Sequence, residues 1–405
     1  MKIYLVGGAV RDMLLGQDPH DKDYVVFGAT AKEMLQAGFK QVGKKFPVFI
    51  HPVTKNEYAL ARKEEKTGVK HTDFRFIFTP DITEQEDVLR RDFTCNALLY
   101  DEENKKLLDL VGGAADIKNK ILRHINSEHF VEDPLRVLRM CRFAAALDFT
   151  IASETMALAQ KMVDDNMLGH LTAERIWSEF TYALQRPNFA KFIMHMRECQ
   201  ALNAILPELE KLWQTPERTD YHPEGNSGDH TLLTLTHGEN LSSKAKFALL
   251  LHDIGKTLTP AEILPHHHGH DKAAAPLIRE ICGRLKVANN YRDFALMIAK
   301  QHMQIRNVLD MKKGRLLTLI NDICGLKHRQ NLADYIRICR CDMLGRKRII
   351  SKSELDYFRH SAMRLIANFK IQSQIKATDM PDYSSACKNA SFAEKFMNYR
   401  ITKIV

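Results

Sequence analysis

The stretch LVGGAVRDMLLGQDPHDKDYVV, residues 5–26, constrains the fold of this chain more than any other. Residues 3–6 are an apolar run that ends at a glycine pair, which is typical of a buried strand entering a turn. AVRDMLLG then has the pattern of one or two helical turns closed by Gly16. DYVVF is apolar and rich in β-branched residues, so it predicts another strand. The stretch therefore predicts a unit of strand, glycine turn, short helix and strand.

Two aspartates, Asp21 and Asp23, stand at the start of the second predicted strand. Residues two apart on a strand share a face, so both carboxylates are expected on one side of the sheet. They repel each other unless a cation lies between them, and Mg²⁺ prefers such oxygen ligands together with substrate phosphates. Gly7 and Gly8 let the backbone approach a phosphate, and Arg11 adds a cation. The pattern favours a magnesium and phosphate site; a plain turn with two solvated aspartates is the alternative.

The predicted secondary structure changes from strands to helices near Glu84. Before it, PVFIHP and EYALAR predict further strands of the same sheet, and KEEKTGVKHTDFRF (residues 63–76) predicts a mobile loop or a hairpin. After it, DVLRRDFTCNALL, DPLRVLRMCRFAAAL and ERIWSEFTYAL show helical spacing of apolar residues. Roughly residues 215–230, TPERTDYHPEGNSGDH, interrupt the helices and are the best linker candidate. The predicted fold class is α+β, mostly α, with a sheet domain followed by helical domains.

Composition and charge narrow the class of protein. The chain has 405 residues, which suggests two to four domains at ~100–200 residues each. A formal net charge of +9 favours a polyanionic partner, although many basic proteins bind no nucleic acid. The eight cysteines show no paired CxxC spacing, which disfavours a disulfide framework or a zinc ribbon. The sequence has neither a signal peptide nor an apolar run long enough to cross a membrane, so we expect a cytoplasmic protein.

The first half of the chain resembles the polymerase-β-like nucleotidyltransferase superfamily. Residues 5–26 look like the first motif of its class II tRNA nucleotidyltransferases and bacterial poly(A) polymerases. RRDFTCNAL (residues 90–98), EDPLRVLRMCRFAA (132–145) and LTAERIWSEF (171–180) resemble the next motifs in family order. Cys95 replaces the aliphatic residue usual in the first of these. The resemblance implies a polymerase-β-like sheet domain that transfers nucleotides from nucleoside triphosphates.

The resemblance also implies roles for the matching residues. Asp21 and Asp23 would be catalytic and bind Mg²⁺, and whether Glu57 is a third carboxylate stays open. The implied nucleotide-binding residues are Gly8, Arg11, Arg91, Asp133, Arg136 and Arg139. Asp133 and Arg136 are three apart on an expected helix, so they would present an acceptor and a forked donor to an incoming base. For the arginines of that helix, a solvated stripe is the alternative.

A second motif, ALLLHDIGK, resembles the signature of the HD phosphohydrolase superfamily. His252 and Asp253 within it would be catalytic. The implied metal ligands are His230, His252, Asp253 and Asp342. Imidazoles combined with carboxylates suit a divalent transition metal, and Ni²⁺ is one candidate. His270 and His302 are candidate phosphate contacts in the same site.

Together the resemblances predict a class II tRNA nucleotidyltransferase that carries an HD domain. The implied activities are addition and repair of the 3′-terminal CCA of tRNA from CTP and ATP, and 2′,3′-cyclic phosphodiesterase, 2′-nucleotidase and phosphatase hydrolysis. The implied partners are the tRNA 3′ end and both triphosphates, with no membrane, and the protein would be a monomer or a homodimer. The expected domains are a nucleotidyltransferase head (1–140), a helical RNA-binding body (141–222), an HD domain (223–350) and a helical tail (351–405).

Two other functions share these motifs. A poly(A) polymerase has the same head motifs, although the HD segment favours the CCA-adding enzyme. An HD phosphohydrolase with a non-catalytic RNA-binding head is the second alternative, and the intact pair of Asp21 and Asp23 speaks against it.

Overall fold

The structure, a computed structural model, describes residues 1–19, 21–42, 47–66, 74–380 and 392–405. The chain divides into two compact units, Met1–Glu179 with His195–Ala204 and Phe180–Met194 with Ile205–Val405. In the described ranges, no helix combines the length and the apolar character that crossing a bilayer requires. The seven cysteines in these ranges are all buried and free.

The first unit contains a mixed seven-stranded sheet with the strand order β3-β4-β5-β2-β1-β8-β9. Its strands are β1 Lys2–Val6, β2 Asp23–Phe27, β3 Lys40–Val42, β4 Val48–Ile50, β5 Glu57–Leu60, β8 Leu99–Asp101 and β9 Lys106–Leu108. The predicted strands PVFIHP and EYALAR are thus present in this sheet. The hairpin expected for residues 63–76 is present as β6 Lys63–Lys66 and β7 Phe74–Ile77, which pair antiparallel; residues 67–73 lie outside the described ranges. A short parallel pair, β10 Ile121–Leu122 and β11 Thr150–Ile151, completes the strands.

The described α-helices extend over both units. In chain order they are α1 Gly8–Leu14, α2 Ala31–Gln36, α3 Glu84–Leu89, α4 Gly113–Asn119, α5 Ser127–Glu132, α6 Leu135–Leu147, α7 Ser153–Asp164, α8 Ala173–Leu184, α9 Phe189–Glu198, α10 Ala201–Ile205, α11 Pro207–Glu210, α12 Ser227–His237, α13 Ser243–Leu251, α14 His270–Arg284, α15 Asn289–Gln301, α16 Lys313–Cys324, α17 Arg329–Leu344, α18 Lys352–Gln374 and α19 Phe392–Thr402. Short 3₁₀ turns include Thr94–Asn96, Ile254–Leu258 and His302–Asp310. The predicted class, α+β and mostly α, is confirmed.

Strand β2 lies at the centre of the sheet and is buried on both faces. Val25 and Phe27 belong to one hydrophobic cluster, whereas Val26 packs on the other side with Met34 and Phe49. Because side chains alternate across a strand, a strand covered on both faces has a continuous apolar sequence. Burial on both faces explains why DYVVF has no alternating polar residues. The same packing holds the start of β2 in place beside β1.

The helix expected over DVLRRDFTCNALL is wrong beyond Leu89. Helix α3 ends there, and the chain then adds β8 and β9 to the sheet, with Leu99 opposite Val6 of β1. Phe93 and Leu98 are fully buried. A segment whose apolar side chains are buried in several directions can imitate helical spacing without being a helix. The sheet therefore extends past residue 84.

The second unit is a helical assembly. Helix α13 packs against α15, α12 against α17, and α14 against α15. In α13 every residue from Ala245 to Leu251 is buried, including Lys246, so the apolar run of this segment marks a central core helix. The C-terminal end of α13 carries the HD dipeptide into the middle of the unit.

Candidate nucleotide-binding and metal sites

A glycine turn joins β1 to α1 and positions Arg11. Gly7 has a φ of 67°, a left-handed conformation that glycine adopts without steric cost. At Gly8 a Cβ would lie 3.3 Å from Arg11 Nη2, so the absence of a side chain lets the guanidinium fold over the turn. Arg11 donates to Asp12 Oδ1 and to Asn96 Oδ1, each at 2.7 Å. These two acceptors fix the direction of the guanidinium.

Three carboxylates meet near the start of β2. Asp23 lies opposite Val6 of β1 and in register with Glu57 of the parallel strand β5. The surrounding protein, followed by the charges of Glu57 and Asp21, raises the pKa of Asp23, and Arg91 opposes this effect. Asp21 stands two residues before β2, so the argument from strand alternation is wrong for it. Glu57, which the sequence left open, belongs to this acidic cluster.

A cavity of about 530 Å³ adjoins the glycine turn and is called the nucleotide cavity below. All six residues predicted to bind nucleotide line it. The full lining is Gly7, Gly8, Arg11, Arg62, Arg90, Arg91, Asp92, Asn96, Asp133, Leu135, Arg136, Arg139, Phe143 and Arg175. Seven of these residues are arginines and two are aspartates, so the lining carries an excess of positive charge. Forked guanidinium groups in such excess suit a polyphosphate.

Two buried carboxylates anchor the arginines of this cavity. Asp87 pairs with Arg90 and with Arg91, the latter at 2.8 Å between Oδ2 and Nη2. Burial disfavours the charged form, but Arg91 and Arg90 outweigh it and hold the pKa of Asp87 at about 2. Asp92 accepts from Arg139 Nε at 2.8 Å, and this arginine lowers the pKa of Asp92 despite its burial. The guanidinium groups are therefore held in place before any ligand binds.

Asp133 and Arg136 line the same cavity, but the prediction that they share one helix is wrong. Asp133 lies between α5 and α6 with an extended backbone, φ −123° and ψ 103°. Pro134 follows it, and a residue before proline is disfavoured in the helical conformation. Helix α6 therefore begins after Asp133, and of these two residues only Arg136 lies on it.

Both residues have protein partners. Asp133 Oδ2 lies 2.7 Å from Arg175 Nη2. Arg136 donates to the backbone carbonyls of His129 and Arg90, at 2.5 and 2.8 Å. Arg175 Nη1 is buried and has no hydrogen-bond partner among the described residues. The pair of Asp133 and Arg175 thus offers an acceptor and a donor fork at the cavity wall.

Arg62, Arg90, Phe143 and Arg175 are among the lining residues to which sequence reasoning assigned no role. A sequence signal for Arg175 exists, because this residue lies in the family-like motif LTAERIWSEF. The aromatic ring of Phe143 lines the cavity, and the guanidinium carbon of Arg139 lies 5.3 Å from the centroid of that ring. Nothing in the local sequence of Arg62 indicates that β5 ends beside the nucleotide cavity.

The second unit brings the predicted HD residues together. His230 lies on α12, His252 follows the last residue of α13, and Asp253 comes next. His302 follows α15, and Asp342 lies near the end of α17. Asp342 Oδ1 lies 3.1 Å from His230 Nε2, so this aspartate lies within the cluster.

Asp253 is shared by two groups of possible metal ligands. Its Oδ2 lies 3.2 Å from His252 Nε2 and 3.9 Å from His230 Nε2. Its Oδ1 lies 3.4 Å from His270 Nε2 and 3.5 Å from His302 Nε2. Within each group the ligand atoms lie within 4.8 Å of one another. His270 and His302, predicted as phosphate contacts, are therefore also placed to ligate a metal.

The polar atoms of this cluster fit a metal ion. His252 Nε2, Asp253 Oδ1 and His270 Nε2 are buried and form no hydrogen bond with any described residue. A buried polar atom without a partner is costly, so such atoms call for a ligand. Imidazole nitrogens mixed with carboxylate oxygens suit a divalent transition metal. Burial opposes the charge of Asp253, but His252 and Lys256 hold the pKa of Asp253 well below its usual range.

The segment predicted as a linker contributes to this site. Lys256 Nζ lies 2.8 Å from Asp253 Oδ2 and 2.6 Å from Glu217 Oε1. Burial disfavours its charge, yet these two carboxylates raise the pKa of Lys256, so it stays an ammonium. Glu224 Oε1 lies 3.0 Å from His230 Nδ1 and orients that ring. Glu217 was missed because its partner Lys256 lies 39 residues further along the chain. Glu224 was missed although His230 follows it by only six residues.

A cavity of about 480 Å³ opens onto the cluster and is called the HD cavity below. Asp253, His270, His302 and Asp342 face it, together with Lys256. A phosphate ester that enters this cavity therefore meets the candidate metal ligands directly.

Three family models and full-length relatives match the chain. The model described as "Poly A polymerase head domain" matches residues 3–123, "Probable RNA and SrmB- binding site of polymerase A" matches 148–212, and "HD domain" matches 228–336. The Multifunctional CCA protein of Acinetobacter baumannii (strain AYE) is 41% identical, over 99% of this chain and 96% of the relative. That of Vibrio vulnificus (strain YJ016) is 46% identical over 86% of each chain. The chain belongs to the multifunctional CCA protein family.

Membership of the multifunctional CCA protein family confirms the resemblance drawn from the motifs, and with it the class of tRNA nucleotidyltransferases. Among solved structures, the Thermotoga maritima CCA-adding enzyme complexed with tRNA has a TM-score of 0.61 and 19% identity. The alignment covers 99% of this chain and 87% of that one. At this identity the likeness shows the shared fold alone.

Proposed function

We propose that the protein adds and repairs the 3′-terminal CCA of tRNA, using CTP and ATP. The observation that carries the proposal is the nucleotide cavity, in which seven arginines adjoin the glycine turn. Full-length relatives at 41% identity are named multifunctional CCA proteins, which supports the choice of CCA over other products. The net charge of +9 suits the phosphate backbone of tRNA.

Asp21, Asp23 and Glu57 would hold Mg²⁺ for this reaction. The fit rests on the strand register that places Asp23 beside Glu57, with Asp21 two residues away. Burial, followed by the charges of Glu57 and Asp21, raises the pKa of Asp23, and a bound cation would offset those charges. Bound magnesium would lower the pKa of the attacking 3′-hydroxyl and offset charge on the departing pyrophosphate. Arg11 and Arg91 would bind the triphosphate, held in position by their contacts to Asn96.

Selection of the base would fall to Asp133, Arg136 and Arg175. Asp133 accepts hydrogen bonds and the two guanidiniums donate them, so together they can pair with the edge of cytosine or adenine. Arg175 is the addition to the predicted set, and its Nη1 has an unused donor. In this way protein side chains would take the place of a nucleic-acid template.

A poly(A) polymerase is the rival, because the head model carries that description. A tRNA that ends before CCA separates the two functions when it is incubated with Mg²⁺ and with CTP, ATP or both. We expect CTP alone to add two residues, ATP alone to add little, and the mixture to add three and stop. A long adenosine tract from ATP would contradict the proposal.

We further propose that the HD site hydrolyses 2′,3′-cyclic phosphodiesters, 2′-nucleotides and other phosphate monoesters. His230, His252, Asp253 and Asp342 would hold one divalent transition metal, such as Ni²⁺. The second group, Asp253 with His270 and His302, could hold another. Such a metal supplies a hydroxide near neutral pH and polarises the phosphoryl oxygen. Lys256 would keep the charge of Asp253 balanced, and Glu224 would fix the ring of His230.

The predicted domains, 1–140, 141–222, 223–350 and 351–405, remain proposals, as do the cytoplasmic location and a monomeric or homodimeric state. The tRNA 3′ end, CTP and ATP are the proposed partners. A hydrolase that trims damaged ends beside a transferase that rebuilds them is a coherent pair of activities.

A further inference from the structure

Arg346 reaches the HD cavity from the turn that follows α17. Gly345 precedes it, and a Cβ on this glycine would lie 2.4 Å from Thr234 Cγ2 and 2.8 Å from Thr234 N. Only a residue without a side chain lets the end of α17 approach α12 so closely. This close contact sets the point at which the chain leaves α17, and with it the position of Arg346 in the cavity wall.

The guanidinium of Arg346 is buried and incompletely paired. The residue is 8% exposed, and its Nε has no hydrogen-bond partner among the described residues. Burial lowers the pKa of Arg346; Asp342 opposes the shift, and the like charges of Arg306 and Arg348 add to it. Arginine nevertheless stays charged at neutral pH. A buried cation in this state calls for an anionic ligand.

Arg306 faces the same cavity. Its Nη2 lies 3.3 Å from Asp342 Oδ2, and its side chain is 42% exposed. Asp342 thus contacts the candidate metal ligand His230 through Oδ1 and Arg306 through Oδ2. An anion bound at Arg306 and Arg346 would lie next to the candidate metal ligands.

We propose that Arg346, assisted by Arg306, binds the non-bridging oxygens of a terminal phosphate and makes the HD site selective for dianionic monoesters over monoanionic cyclic diesters. The inference rests on the proposed phosphohydrolase function. Two fixed positive charges attract a dianion more strongly than a monoanion, and guanidinium forks match the oxygens of a terminal phosphate. Neither residue belongs to the predicted HD set.

The reaction is the same hydrolysis for both substrates but differs in its product. With a 2′-monoester, the oxygen of water bonds to phosphorus and the ribose oxygen leaves with a proton, which releases inorganic phosphate. With a 2′,3′-cyclic diester, water opens one of two P–O bonds and the product is still a monoester. Arg346 would thus act mainly on the step that ends in free phosphate.

The test compares Arg346→Gln, Arg346→Lys and Arg306→Gln with the wild-type full chain, loaded with Ni²⁺ or Mn²⁺. For Arg346→Gln we expect kcat/KM on adenosine 2′-monophosphate to fall about tenfold to a hundredfold, the worth of a lost hydrogen bond to a charged group. The fall on 2′,3′-cyclic AMP should be less than about fivefold. Calorimetry should show weaker binding of adenosine 2′-monophosphate, and lysine should restore part of it. Arg306→Gln should act in the same direction.

Arg292→Gln is the matched control, because Arg292 pairs with Asp293 and is absent from the described lining of the HD cavity. It should leave both substrates unchanged. Equal losses on both substrates, or unchanged binding of the monoester in the Arg346→Gln and Arg306→Gln variants, would overturn the inference. Arg306→Gln decides the matter if Arg346→Gln does not fold, since Arg306 is partly exposed. A wild-type protein that hydrolyses neither substrate would instead overturn the proposed phosphohydrolase function.

Discussion

At the level of single residues, Asp87 shows how a buried charge can prepare a binding site. It is 0% exposed and holds Arg90 and Arg91 at the nucleotide cavity. The pKa of Asp87 is lowered to about 2 from an ordinary value of 3.8. A carboxyl group whose pKa is lower in the folded protein stabilises the fold above its ordinary pKa. That contribution is lost as the pH falls toward the folded value.

Asp87→Asn should therefore lower the free energy of unfolding at pH 7 by about 2 kcal/mol or more, from the pKa difference. The difference in the free energy of unfolding between wild type and variant should become smaller as the pH falls from 5 toward 2. Denaturant unfolding at a series of pH values measures it. Asp165→Asn, at an exposed position, is the control and should change little. A gap of constant size at pH 7 and pH 3 would show that the ion pairs do not stabilise the fold.

Individual residues were predictable where a motif names them and unpredictable where a partner comes from elsewhere. All six predicted nucleotide residues line one cavity. Arg175 was not assigned, because its partner Asp133 lies 42 residues earlier in the chain. Asp87 was not assigned either, although its partners Arg90 and Arg91 follow it at helical spacing. Glu57 joins Asp23 through the parallel pairing of β5 with β2, which no local pattern indicates.

At the level of elements, the contact between the 3₁₀ turn Ile254–Leu258 and α14 positions the HD site. A Cβ on Gly255 would lie 2.0 Å from the carbonyl oxygen of His270 and 2.6 Å from the nitrogen of Ala274. Two backbones meet here with no room for a side chain. One carries Asp253 and Lys256, and the other begins with His270.

Gly255→Ala should push α14 away and lower the stability of the second unit by about 1–3 kcal/mol, the usual cost of overpacking. Hydrolysis at the HD site should fall with it, because His270 moves relative to Asp253. Gly283→Ala, also on α14, meets no atom within 4 Å and should be neutral or stabilising by up to about 1 kcal/mol. Thermal unfolding and phosphatase assays compare the two. Equal behaviour of both variants would mean that this contact is unimportant.

Elements with a single strong pattern were predicted correctly. DYVVF is β2, and the apolar AKFALLL lies within α13. The helix expected to continue beyond Leu89 and the helix expected to carry Asp133 were wrong. Burial in several directions imitated helical spacing in the first case, and Pro134 displaced the helix start in the second.

At the level of the whole molecule, the chain combines a nucleotide cavity in one compact unit with a metal-ligand cluster in the other. The order of motifs predicted this combination, because each motif is local and both families are recognised by short segments. We therefore predict two separate chemistries, one that depends on Asp21 and one that depends on His252.

The most direct test measures both activities in the variants Asp21→Ala and His252→Ala. One assay follows CCA addition to a tRNA that ends before CCA, and the other follows hydrolysis of adenosine 2′-monophosphate with added Ni²⁺. Asp18→Ala, at an exposed position in the same motif, is the control. We predict that Asp21→Ala abolishes addition and retains hydrolysis, and that His252→Ala does the reverse. Normal tRNA extension by Asp21→Ala, or loss of both activities in either folded variant, would contradict the account.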